Sequence, residues 1–307
     1  MTVSAATVFL LSACGGQDSS SGGDVSGEVV VDGSSTVGPL TSAAGELFSG
    51  EQSGVNVSVA TSGTGGGFEK FCQGETDISD ASRPIEAEEA AICKKAGIAY
   101  TEMQVANDAL TVVVSKDNDF VSCLTIEQLN TMWAPESEGK VDNWNQIDPS
   151  FPDEPLELFG AGTDSGTFDY FTEAVNGEEA ASRSDYNATE DDNITVKGVA
   201  GSANALGYFG YTYYEENQDI LKAVAIDSGN GCVDPSPETA ADGTYTPLAR
   251  PLFIYVSNSS YADKPQVAAF VDYYSANDQK IAEAAKFIQL SDGQRTKLEQ
   301  AASALKS

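Results

Sequence analysis

The chain has 307 residues, enough for two domains of ordinary size, and at 41% hydrophobic it can bury a proper core. Its 47 Asp and Glu against 16 Lys and Arg leave a formal net charge of −31, which disfavours nucleic acid and anionic membrane surfaces as partners. Histidine is absent altogether, which excludes Ser-His-Asp and Cys-His nucleophile systems and every His-containing metal site.

The first residues read as an address, not as part of the fold. Val8-Phe9-Leu10-Leu11 is a short apolar core without the usual basic segment before it, and Leu11-Ser12-Ala13-Cys14 matches a bacterial lipobox. Residues 1–13 are then a lipoprotein signal segment, Cys14 carries the lipid, and 14–27, rich in Ser, Gly and Asp, form a flexible tether off the membrane. Four cysteines remain, Cys72, Cys93, Cys123 and Cys232, and an even count in an exported chain suggests two disulfides. No Cys-x-x-Cys pair occurs, so no metal site is indicated. Of the three possible connectivities, Cys72–Cys93 with Cys123–Cys232 is preferred, because each bridge then stays within one proposed domain.

Glu28 to Asp32 reads as a strand, followed by Gly33-Ser34-Ser35-Thr36-Val37-Gly38 and a helix with Pro39 near its first turn. Val55 to Val59 alternates as a half-buried strand should. Thr61-Ser62-Gly63-Thr64-Gly65-Gly66-Gly67 comes next, and the apolar spacing of Phe68, Phe71 and Cys72 predicts a helix starting at this loop. After Asp77 to Pro84 a further helix carries Glu86, Glu88 and Glu89 early, Lys94 and Lys95 late, and Gly97 as its stop, an order that suits the helix dipole. Leu110 to Val114 is an apolar strand, and Thr125-Ile126-Glu127-Gln128 fits a capping box. Leu156 to Phe159 reads as a strand, then Thr163-Asp164-Ser165-Gly166-Thr167 leads into a helix marked by Phe168, Phe171 and Val175. Leu252 to Val256 is a second strongly apolar strand, and the rest is helical, with Ser291 capping the last helix. Strands alternating with helices indicate an α/β fold with largely parallel sheets.

Four loops share one chemistry: Gly33 to Val37, Ser62 to Gly67, Ala81 to Arg83, and Asp164 to Thr167. Each offers hydroxyl side chains and exposed backbone N–H groups, and the first N–H groups of a helix have no internal partner. A tetrahedral oxyanion stripped of water needs many such donors. Arg83 stands out, since the chain has only four arginines and it alone lies in one of these loops. No loop carries the Gly-Lys-Ser/Thr of a P-loop.

At these residues the chain resembles the periplasmic phosphate-binding proteins of ABC-type phosphate uptake systems, the PstS-like family, over about Glu28 to Ser307. The resemblance implies phosphate held by Thr36 and the Val37 amide with Ser35 beside them, by Thr64, and by Ser165, Gly166 and Thr167. Many family members carry an Asp in the loop corresponding to Ala81–Arg83, where this chain has Ser82-Arg83. They also carry an Arg shortly before Ser-Gly-Thr, where it has Gly160-Ala161-Gly162. Arg83 is then a relocated charge, and the acceptor of the phosphate proton is Asp164, Asp80 or Asp108.

The fold implied is two-lobed, of the type II periplasmic-binding-protein class, with Leu110–Val114 and Leu252–Val256 as two crossing hinge strands. Lobe 1 combines 28–109 with 257–307, and lobe 2 is 110–256. The resemblance further implies hinge closure on phosphate, delivery to a membrane permease, a monomer in the cell envelope and no cofactor. Two other readings stay open. One is a binder of sulfate or molybdate. The other is a phosphate-ester hydrolase using Ser165 or Thr64, which the lack of histidine and of an activating lysine disfavours.

Overall fold

The computed structural model describes residues 25–307. The signal segment, Cys14 and the tether up to residue 24 lie outside the described residues. β1 (Gly27–Gly33), β2 (Val55–Ala60) and β3 (Ile78–Ala81) alternate with α1 (Gly38–Ser49) and α2 (Gly63–Cys72), and α3 (Ala87–Ala96) follows. β4 (Tyr100–Ser115) comes next, then β5 (Cys123–Thr125), α4 (Ile126–Trp133), β6 (Glu157–Ala161) and α5 (Gly166–Asn176). The later strands are β7 (Asn187–Thr189), β8 (Ala205–Gly210), β9 (Leu221–Ala223), β10 (Ala225–Asp227), β11 (Cys232–Val233) and β12 (Ala249–Ser257). The capping boxes expected at Thr125–Gln128 and Ser291–Gln294 both form.

One continuous sheet runs β2-β1-β3-β12-β4-β8-β6-β7, and β9 also pairs with β4. β1 pairs in parallel with β2 and β3, as strands joined through helices do. β4 is long enough to serve both halves: Tyr100 to Ala109 pairs with β12, and Leu110 to Ser115 with β8 and β9. Two large separate cores form on this frame. One gathers Val31, Leu40, Phe48, Ile254 and Phe270, the other Val112, Leu124, Trp133, Phe171 and Tyr208. We take these as lobes 1 and 2.

The crossings fall beside the two apolar runs, not within them. Ala106 lies in the first core and Ala109 in the second, so β4 changes lobe at Asn107-Asp108. Leu252, Ile254 and Val256 all belong to the first core, and β12 crosses just before them, where the Leu110 amide donates to the Leu248 carbonyl at 2.8 Å. Those runs are apolar because sheet faces are covered there, which marks burial and not a change of lobe. A third link was not visible in the sequence: Ile288, from the lobe 1 part of the chain, sits in the lobe 2 core and bonds Asn107 in both directions.

Both preferred disulfides form. Cys72–Cys93 ties α2 to α3, and Cys123–Cys232 ties β5 to β11. Among the described residues no helix is long and apolar enough to cross a membrane.

Candidate anion site

All four hydroxyl-rich loops lie between a strand and the helix that follows it. α2 begins at Gly63, within the loop where the sequence predicts it, so its glycines lie inside the first turns. Close packing is the reason. A Cβ on Gly67 would stand 2.5 Å from Gly33 Cα and 2.9 Å from Ser79 Oγ, so only glycine lets the helix settle on β1 and β3. The loop leading into α1 and the N-terminal turns of α2 and α5 thereby meet at a cleft of about 650 Å³ between the lobes.

Of the residues expected from sequence, Ser35, Thr36, Thr64, Ser82, Arg83 and Gly166 line this cleft. Thr64 and Ser82 also tie two loops together, with their hydroxyls 3.1 Å apart and the Ser82 amide donating to Thr64 Oγ1 at 3.2 Å. Gly166 brings the lobes into contact, since a Cβ there would lie 3.1 Å from the Thr36 nitrogen and Oγ1. Val37, Asp164, Ser165 and Thr167 are not part of the lining. Val37 is fully buried, and its amide faces Ser34 Oγ at 3.4 Å. Ser165 caps α5, accepting from the Thr167 amide at 3.1 Å. Asp164 is exposed, its amide donating to Glu190 Oε1 at 3.3 Å.

The two arginines differ in their surroundings. Arg83 donates to both carboxylate oxygens of Glu89 at 2.8 Å, and Glu86 stands 3.5 Å from its Nε. Its charge is largely matched within its own lobe. Arg250 sits at the crossing, opposite Asp108 in the β12–β4 register. Its Nη2 donates to Thr36 Oγ1 at 2.7 Å, its Nε approaches Asp108 Oδ2 at 3.4 Å, and its guanidinium lies 3.4 Å from the centroid of the Tyr170 ring. One side chain thus touches both lobes. The loop-based sequence reading passed over Arg250 because it lies in a strand. A signal was present: an arginine at the edge of an apolar run must find a carboxylate, and Asp108 stands at the edge of the other run.

None of the three proton-acceptor candidates lines the cleft, but Asp169 does. It lies near the start of α5. Burial raises its carboxyl above the ordinary range, against the pull of a Ser35 hydrogen bond and the charge of Arg250. Asp108 is buried and likewise raised by burial, with Arg250 pulling the other way. Asp32 and Asp80, on neighbouring strands, hold the loops from behind. Asp32 accepts from the Ser62 amide at 3.0 Å and its hydroxyl at 2.8 Å, and pairs with Lys70. Burial works to raise the Asp32 carboxyl, but the Lys70 and Ser62 bonds outweigh it and hold it low. Asp80 accepts from Thr41 Oγ1 at 2.8 Å, and burial pushes it up to about 8.

The sequence pattern of the PBP superfamily domain matches residues 18–278. The chain belongs to the PBP superfamily. Among its PBP relatives, Protein SphX of Synechocystis sp. is 48% identical over 262 residues, 85% of this chain and 78% of that protein. The phosphate-binding protein PstS of Staphylococcus saprophyticus is 40% identical over 283 residues, 92% of this chain and 86% of that protein. Among solved structures, a possible phosphate-binding protein from Planctomyces limnophilus superposes with a TM-score of 0.87 at 47% identity, covering 92% of this chain and all of that one. A putative phosphate ABC transporter substrate-binding protein from Clostridium perfringens, with bound phosphate, superposes with a TM-score of 0.57 at 25% identity over 86% of this chain and all of that one. These PBP matches bear out the expected fold class.

Proposed function

We propose that this protein captures inorganic phosphate between its lobes and delivers it to an ABC-type phosphate permease. It acts outside the cytoplasm, as a binding protein and not an enzyme. The observation that carries this reading is the convergence of Ser35, Thr36, Thr64 and Ser82, the N-termini of α2 and α5, and Arg250 on one interlobe cleft. Hydroxyls and helix-end amides supply neutral donors, and the guanidinium supplies charge, which together match a desolvated oxyanion. The names of SphX and PstS relatives and the phosphate held by the Clostridium perfringens protein support the choice of phosphate.

In this reading Arg250 is the principal counter-charge and Arg83 lies at the mouth of the cleft. Gly166 contributes its backbone at the start of α5, whose Ser165 cap and Thr167 shape that turn. The Val37 amide belongs to the first loop beside Ser35 and Thr36. Asp169 accepts the proton that phosphate still carries near neutral pH. A lipid on Cys14 would keep the monomer at the membrane. Isothermal calorimetry against phosphate, sulfate, molybdate and arsenate tests the assignment. Tight binding of phosphate, with sulfate ignored, is the expected result. Sulfate or molybdate bound as tightly as phosphate would move the substrate, and turnover of a phosphate ester would move the protein into another class.

A further inference from the structure

The base of the cleft is already bridged. Arg250 bonds Thr36, and Gly166 of lobe 2 sits against the same loop of lobe 1. Among the described residues no hydrogen bond or ion pair bridges the mouth, and the cleft's 650 Å³ is far more than one tetrahedral oxyanion fills. There Arg83 of lobe 1 and Glu173 of lobe 2 line the same space.

A guanidinium has five N–H donors. Arg83 spends two from Nη1, on the Pro84 carbonyl at 3.2 Å and Glu89 Oε2 at 2.8 Å, and one from Nη2, on Glu89 Oε1 at 2.8 Å. Its Nε faces Glu86 at 3.5 Å. The second Nη2 N–H has no partner among the described residues. Glu173 is exposed on α5 and, among the described residues, its carboxylate makes no salt bridge or hydrogen bond. The Glu89 hydrogen bond leads in raising the pKa of Arg83, and the charge of Glu173 reaches it as well. Glu179 lies close by, raised by burial and then by the charges of Asp169 and Glu173. Uncompensated carboxylates at the mouth repel an incoming anion, so their presence calls for a counter-role.

We infer that Arg83 and Glu173 form an interlobe latch. As the cleft closes on phosphate, the Glu173 carboxylate accepts the remaining Arg83 Nη2 N–H. Glu89, Arg83 and Glu173 then form one row of charges across the mouth. Arg83 is in this sense a positioning residue, which holds the closed state without touching phosphate. The inference rests on phosphate binding in this cleft.

The test measures phosphate release by stopped flow, and affinity by calorimetry, for the wild type, E173Q, R83Q and the double variant, with thermal melts alongside. A partly exposed ion pair predicts release about two- to fivefold faster in each single variant. The double variant should be no faster than either, and high sodium chloride should erase the difference. Charge removal alone makes the opposite prediction, because deleting a carboxylate from an anion site tightens binding. Unchanged or slower release from E173Q therefore overturns the latch, and so do independent, additive effects, which would make Arg83 a direct ligand. A wild type that binds no phosphate sinks the binding assignment and the latch together. A wild type that binds, with E173Q unaltered, sinks the latch alone. Should R83Q melt far below the wild type, E173Q on the exposed helix face still decides.

Discussion

The Arg250 guanidinium donates to Thr36 Oγ1 at 2.7 Å, joining the crossing strand to the first anion loop. Its flat face lies over Tyr170, and Asp108 stands behind it. Charge, orientation and lobe contact therefore meet in one side chain at the base of the cleft.

Arg250→Ala is expected to weaken phosphate binding by roughly 3–5 kcal/mol, since it removes the counter-charge and leaves Asp108 buried alone. Arg83→Ala should cost no more than about 1 kcal/mol, as its partly exposed charge is matched by Glu89. Calorimetry on both variants separates them. Equal losses would mean the two arginines share the anion.

Asp169→Asn should erase most of the preference for phosphate over sulfate. Phosphate donates its proton to a carboxylate, whereas sulfate presents a lone pair to it, and a site built on such a bond rejects the analogue by up to about 10⁴–10⁵. Competition of labelled phosphate by excess sulfate measures this. A variant with unchanged selectivity would put the acceptor elsewhere.

Asp80 ties stability to pH. Its folded pKa is raised to about 8 from 3.8 by burial, so the folded state holds the proton more tightly than the unfolded chain. That contribution is complete below pH 3.8 and is lost as pH rises through about 8. Across this window the wild type should lose up to about 1.4 kcal/mol per pH unit relative to Asp80→Asn. Urea denaturation at pH 5 and pH 8 makes the comparison. Parallel curves for the two proteins would show that Asp80 is not protonated in the fold.

Removing either disulfide should cost about 2–4 kcal/mol, and the Cys123–Cys232 bridge should cost more. Its sequence separation is 109 against 21 for Cys72–Cys93, so it constrains the unfolded chain more strongly. Serine variants in denaturant titrations give the order. A larger loss at Cys72–Cys93 would point instead to the strain of releasing α3, whose Glu89 pairs with Arg83.

Moderate salt should raise the melting temperature. A net charge of −31 repels itself in the compact state, and salt screens exposed charges beyond about 10 Å at 0.1 M. Melts across a sodium chloride series test it, and a steady fall would contradict it.

The α/β alternation, the helix caps, the pairing of the cysteines and the four hydroxyl-rich turns were legible in the amino-acid sequence. The cysteine pairing followed from keeping each bridge within one proposed lobe, and the others depend on chemistry acting over a few residues: glycine where backbones approach, serine where a helix needs a cap, apolar residues where a strand is covered. That chemistry marks the four loops, and the resemblance to the PstS-like family singles out Ser35, Thr36, Thr64 and Gly166 within them, which line the cleft together with Ser82. The tertiary structure decided the rest. Arg250 reaches Thr36 across 214 residues of chain, and no local pattern encodes that distance. Asp169 enters the cleft only because α5 docks against the first loop, while Asp164, nearer the motif, faces solvent. Ile288 crosses into the second core for the same reason. Which charge faces the anion is set by long-range packing, because a half-buried guanidinium goes wherever the fold supplies both a carboxylate and a further acceptor.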